Sequence, residues 1–144
     1  MSKYSERAVE LFKQGNNCSQ AVFAAFATEF GLSEEMALNI SIGLGGGVGR
    51  MREVCGAVSG SAMVVGLVHP EYDKAEVYEK VRLIADEFKK TNPSIVCKEL
   101  LGLSKPENLS KPDERTNEYY QKRPCVKIVE DAAKATEKIL FGEV

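Results

Sequence analysis

The chain has 144 residues, is 44% hydrophobic and 28% charged, and carries a formal net charge of −2. That length fits one domain over residues 1–144, able to bury about two thirds of its unfolded surface. The near-neutral balance argues against nucleic acid and anionic membrane surfaces as partners.

The chain reads as a succession of helices. Tyr4, Ala8, Leu11 and Phe12 fall at helical spacing, and Gly15 ends that helix. Asn16 and Asn17 offer a cap for a second helix, Cys18 to Phe30, which is apolar nearly all round and so belongs at the centre of the core. Ser33, followed by Glu34 and Glu35, opens a third helix that fades near Ser41. A glycine-rich stretch, Gly43 to Arg50, leads to Cys55 and a small-residue helix ended by His69-Pro70. Asp73 caps a long helix to Thr91. Ser94 starts a short one through Cys97 to Leu101, and a last helix runs from Cys125 to Phe141. The segment Gly102 to Pro124 is polar, holds three prolines and reads as a surface connection. No period-2 strand and no repeat emerge, so the expected fold is all-α, a compact array of six or seven helices.

The start, MSKYSERAVELFKQG, is amphipathic and does not read as a signal peptide. The longest apolar run, Val54 to Val68, is 15 residues and interrupted by glycine and serine, too short to span a bilayer. The expectation is a cytoplasmic protein with no membrane insertion. In a reducing compartment four cysteines point to redox chemistry or metal binding rather than structural disulfides.

The cysteines, Cys18, Cys55, Cys97 and Cys125, form no CxxC pair and no zinc-ribbon or ferredoxin spacing. What they share is place: each falls at or near the start of an expected helix. Free N–H groups and the positive dipole end there stabilise a thiolate, which is both nucleophile and metal ligand. Gly56 and Ala57 leave the first turn after Cys55 sterically open. Gly60 keeps the next turn thin, so another helix end can approach. Arg50 and Arg52 precede Cys55 and would lower its pKa, with Glu53 opposing them. Cys55 is therefore the expected reactive thiol. The alternative is that the cysteines are small apolar core fillers.

Four separated cysteines in about 140 residues, the second inside Cys55-Gly56-Ala57-Val58-Ser59-Gly60, resemble the small redox-active proteins named for the C_GCAxxG_C_C pattern. Cys18, Cys97 and Cys125 fall in matching order, and the resemblance covers essentially the whole chain. It implies a redox-active protein and supplies no substrate.

Two geometries compete. In one, the thiols cycle between dithiol and disulfide, which needs paired Cα atoms within about 7 Å, with Cys55 attacking and Cys18, Cys97 or Cys125 resolving. In the other, the four thiolates hold zinc or an iron–sulfur cluster, making the protein a carrier, sensor or relay. The redox partner is not specified, and a transport-linked system is one further reading that gene neighbourhood would decide.

The remaining motifs carry less. The glycine loop lacks a preceding strand and a following Gly-Lys-Ser/Thr, so nucleotide binding is not expected; a tight turn under Cys55 is favoured over an anion-binding nest beside Arg50. His69, the only histidine, sits at a helix end and reads as a cap rather than a base. Tyr119-Tyr120 would pack on the surface or act as a lid.

Overall fold

A computed structural model describes residues 2–102, 115 and 124–142. Among these, seven helices carry the architecture: α1 Lys3–Lys13, α2 Cys18–Ala27, α3 Glu34–Ser41, α4 Gly56–Val68, α5 Lys74–Lys89, α6 Cys97–Leu100 and α7 Cys125–Phe141. The fold is all-α, as the apolar periodicity predicts. No helix among the described residues is long and apolar enough to cross a membrane.

The caps follow the sequence. Asn17 and Gln20 form a capping box at α2: the Asn17 Oδ1 accepts from the Gln20 N–H at 2.9 Å, and the Gln20 side chain accepts from the Asn17 N–H at 2.9 Å. Asp73 and Glu76 do the same at α5. Glu76 thus turns back to its own helix start. The Ser33 hydroxyl accepts from the Met36 N–H at 3.1 Å.

Helix α2 is the centre. Every residue from Ser19 to Ala27 is buried, because α1, α3, α4 and α7 pack around it. The α2–α4 contact is the tightest. A Cβ at Gly60 would sit 2.9 Å from the Ser19 carbonyl oxygen, and one at Gly56 would sit 3.0 Å from the Leu44 carbonyl oxygen. Glycine here lets two backbones meet.

Two expected boundaries shift. The second helix ends its α-helical part at Ala27, and Thr28–Phe30 tightens to a 3-10 turn closed by Gly31 at φ +99°. The helix expected from Ser94 begins at Cys97 instead. Ser94 Oγ accepts from the Val96 N–H at 2.9 Å, and Val96 forms an antiparallel bridge with Val54. The bridge holds residues before Cys97 extended, a tertiary constraint that local propensity does not contain.

The glycine loop is a left-handed turn. Gly46, Gly47 and Gly49 have φ of +66°, +73° and +54°, and Val48, Arg50 and Arg52 follow at +65°, +65° and +63°. At Gly47 a Cβ would lie 2.5 Å from the Glu53 nitrogen. The loop's N–H groups serve the loop itself: Gly49 donates to Gly43 O at 2.8 Å, Arg52 to Gly46 O at 3.0 Å and Glu53 to Gly47 O at 2.9 Å. It is the tight turn expected, with those donors turned inward.

Candidate functional site: a four-thiol cavity

All four cysteines open a helix. Cys18, Cys97 and Cys125 are the first residues of α2, α6 and α7, and Cys55 is the N-cap of α4. Each is set there by local chemistry. Asn17 caps the turn that carries Cys18. Pro124, which has no N–H to satisfy, precedes Cys125. The Val54–Val96 bridge delivers the other two together: the Cys55 N–H donates to Ile95 O at 2.7 Å, and the Cys97 N–H donates to Glu53 O at 2.6 Å.

The four helix starts converge on one cavity of about 70 Å³, lined by Cys18, Cys55, Cys97 and Cys125 together with Gly56, Asn17, Arg52 and Arg115. Phe12, Leu100, Leu101 and Ile128 form apolar wall. Cys55, Cys97 and Cys125 are buried, Cys18 is the least enclosed, and all four are free thiols. They are near enough to act on one another. Cys18 hydrogen-bonds Cys125 and feels Cys125, Cys55 and Cys97 electrostatically.

The placement is as predicted, but its expected consequence is reversed. The Cys55 thiol is pushed up to about 12, because burial outweighs the Ala57 and Val58 N–H groups that pull it down. Those first-turn N–H groups face the sulfur without closing a cap hydrogen bond. Cys18 is also raised well above its usual range, first by its hydrogen bond with Cys125, then by burial of the sulfur, although part of the residue meets solvent. Desolvation, invisible in the sequence, wins over the helix dipole.

The other predicted residues divide. Gly56 lines the cavity and Ala57 faces the Cys55 sulfur. Gly60 works one turn away, as clearance between α4 and Ser19 of α2. Arg50 is outside the cavity wall; its Cα lies 2.8 Å from where a Gly46 Cβ would be. Arg52 is buried, and its Nη1 donates to Cys97 Sγ at 3.6 Å, so its charge serves Cys97 more directly than Cys55. His69 is the C-cap of α4, pairs with Glu71 at 2.8 Å and stacks on Tyr72, away from the thiols.

Arg115 was not foreseen. It lies in the polar stretch expected as a surface connection, yet its Nη1 and Nη2 donate to Phe12 O at 2.5 Å and Asn16 O at 2.7 Å. Its guanidinium lies 4.1 Å from the centre of the Phe12 ring. No local signal separates it from the other cations of that stretch. Tyr119-Tyr120 lie outside the described residues.

Thiolates suit zinc or an iron–sulfur cluster by donor chemistry. Among the described residues, however, no three Cys, His, Asp or Glu side chains are arranged to hold a metal ion.

A family model described as "Putative redox-active protein (C_GCAxxG_C_C)" matches residues 16–139. An uncharacterised protein of Archaeoglobus fulgidus is 27% identical over 93% of this chain and 91% of its own length. No solved structure matches. The matched span contains all four cysteines of the cavity, and the chain belongs to the C_GCAxxG_C_C family.

Proposed function

We propose that the protein is a small thiol–disulfide redox protein whose working group is the four-cysteine cavity. The observation that carries this reading is the convergence of four free thiols, from four helix starts, on one cavity, with Cys125 the group that acts most strongly on Cys18. Cysteines serving as apolar filler have no reason to share one cavity. The raised pKa values of Cys18 and Cys55 keep these two thiols protonated, and so poorly nucleophilic, until an oxidised partner arrives.

Cys18 and Cys125 form the first pair, because Cys125 is the thiol that bears on Cys18 most strongly. On oxidation they lose two protons and two electrons and gain one S–S bond, and an incoming disulfide accepts both electrons as two thiols. Cys55 and Cys97 form the second pair. Cys55 is reactive only within the cavity, where Cys97 is the thiol that bears on it most strongly.

Equilibration of the reduced protein across a series of dithiothreitol redox buffers, followed by thiol alkylation and intact mass, tests the reading. The expected result is loss of alkylatable thiols in steps of two, without dimerisation. Cys18→Ser should remove one step and leave the other. Four thiols alkylated at every potential would sink the redox reading.

A further inference from the structure

Cys97 has a guanidinium N–H on its sulfur. Arg52 is only 5% exposed, and its Nη1 lies 3.6 Å from Cys97 Sγ. The backbone is built to put it there. Arg52 sits at φ +63°, a conformation that costs a non-glycine residue on the order of 1–3 kcal/mol. Its N–H donates to Gly46 O at 3.0 Å, and its carbonyl accepts from the Lys98 N–H at 3.2 Å. The arginine is thus tied to the glycine turn on one side and to the Cys97 helix on the other. A charge-assisted N–H···S contact favours the thiolate, whereas burial holds the Cys55 thiol protonated and Cys125, then burial, holds Cys18 so.

The cavity sets the size of what this thiolate meets. Cys97 is 8% exposed and lines a space of about 70 Å³. Roughly 10–15 Å³ holds one water, so the space takes several waters or a molecule of a few heavy atoms. A small oxidant fits such a space.

Resting on the thiol redox reading above, we propose that Cys97, kept as a thiolate by Arg52, reduces a compact hydroperoxide inside the cavity and that Cys55 resolves the product. The Cys97 sulfur attacks one peroxide oxygen: an S–O bond forms, the O–O bond breaks, and the departing hydroxide takes up a proton to become water. Cys97 is then a sulfenic acid. The Cys55 sulfur attacks it: the S–S bond forms, the S–O bond breaks, and a second water leaves with the Cys55 proton. One hydrogen peroxide and two thiols give one disulfide and two waters. The Val54–Val96 bridge, which anchors both cysteines to one pair of chain segments, is the scaffold for the second step. Arg52 acts through Cys97 and is a positioning residue.

The test mixes reduced protein with hydrogen peroxide and maps the products by mass spectrometry. A Cys55–Cys97 disulfide is expected, one per peroxide consumed. In Cys55→Ser, dimedone should trap a sulfenic acid on Cys97. Arg52→Gln should slow the reaction about ten-fold near neutral pH and raise the midpoint of its pH profile by about one unit, with Arg52→Lys in between. Cumene hydroperoxide, which carries a phenyl ring, should react more slowly than hydrogen peroxide. Dimedone on Cys18 or Cys125 in place of Cys97, an unchanged rate and midpoint in Arg52→Gln, or equal rates for the two peroxides would overturn the proposal. Should Arg52→Gln not fold, the trap in Cys55→Ser still decides. If diamide forms disulfides while peroxide reacts no faster than with free cysteine, the peroxide proposal falls alone. If diamide forms none either, the thiol redox reading falls with it.

Discussion

Helices α2 and α7 each join two ends of the molecule with opposite characters. At their starts, Cys18 and Cys125 face the cavity. Towards their other ends, Phe26 and Phe141 join Tyr4 and Phe30 in a stack of nearly parallel rings, with Tyr4 and Phe26 centroids 4.3 Å apart and Phe30 and Phe141 centroids 6.0 Å apart. The ring end is filled; the thiol end keeps a space. Protein interiors ordinarily close such spaces. This one is lined by the four thiols and by Arg52 and Arg115, and the proposed site rests on it.

The ring end should therefore govern stability and the thiol end should govern chemistry. Phe26 is fully buried, and Phe26→Ala should lower unfolding free energy by about 3–5 kcal/mol in urea titrations while leaving the disulfide pairing unchanged. A changed pairing would mean the two ends are not separable. Gly60→Val is the next effect. Its Cβ would meet the Ser19 carbonyl oxygen at 2.9 Å, and forcing α2 from α4 should cost about 1–3 kcal/mol. Unlike the Phe26 change, it should also slow disulfide formation, because it moves Cys18 relative to Cys55.

The pH dependence isolates the thiol end. The Cys55 pKa rises from 9.0 to about 12 on folding, so the folded state binds the proton more tightly than the unfolded state. The stability contributed by the neutral thiol is complete below pH 9 and is lost as pH climbs towards 12, with a slope of up to about 1.4 kcal/mol per pH unit. Unfolding measured from pH 8 to pH 11 should show this decline, and Cys55→Ser should flatten part of it. An identical slope in the variant would contradict the burial of that thiol. Phe141→Ala should have the smallest effect, about 0.5–1.5 kcal/mol, because its ring is 43% exposed.

Much of this was legible in the chain. Asn17, Ser33 and Asp73 announce their helices because capping is local chemistry, and the all-round apolar Ala21–Ala27 stretch announces the central helix. The four helix-start cysteines followed from the same signals. What was not legible depends on contacts between distant segments. The Val54–Val96 bridge delays the start of α6. Burial reverses the expected direction of the Cys55 pKa. Arg52 turns to Cys97, 45 residues away, and Arg115 reaches Phe12 across 103 residues. The CGAxxG glycines were legible as clearance, but the partner they clear, Ser19 of α2, was not.

The central claim is that the four helix-start thiols form one redox site with Cys18 and Cys125 as its first pair. Oxidising the reduced protein stepwise with diamide, digesting it without reductant and sequencing the linked peptides tests this most directly. The account predicts that a Cys18–Cys125 linkage appears within one chain at the first equivalent of oxidant. Linkages between chains only, or a Cys18 that remains free while Cys125 is oxidised, would contradict it.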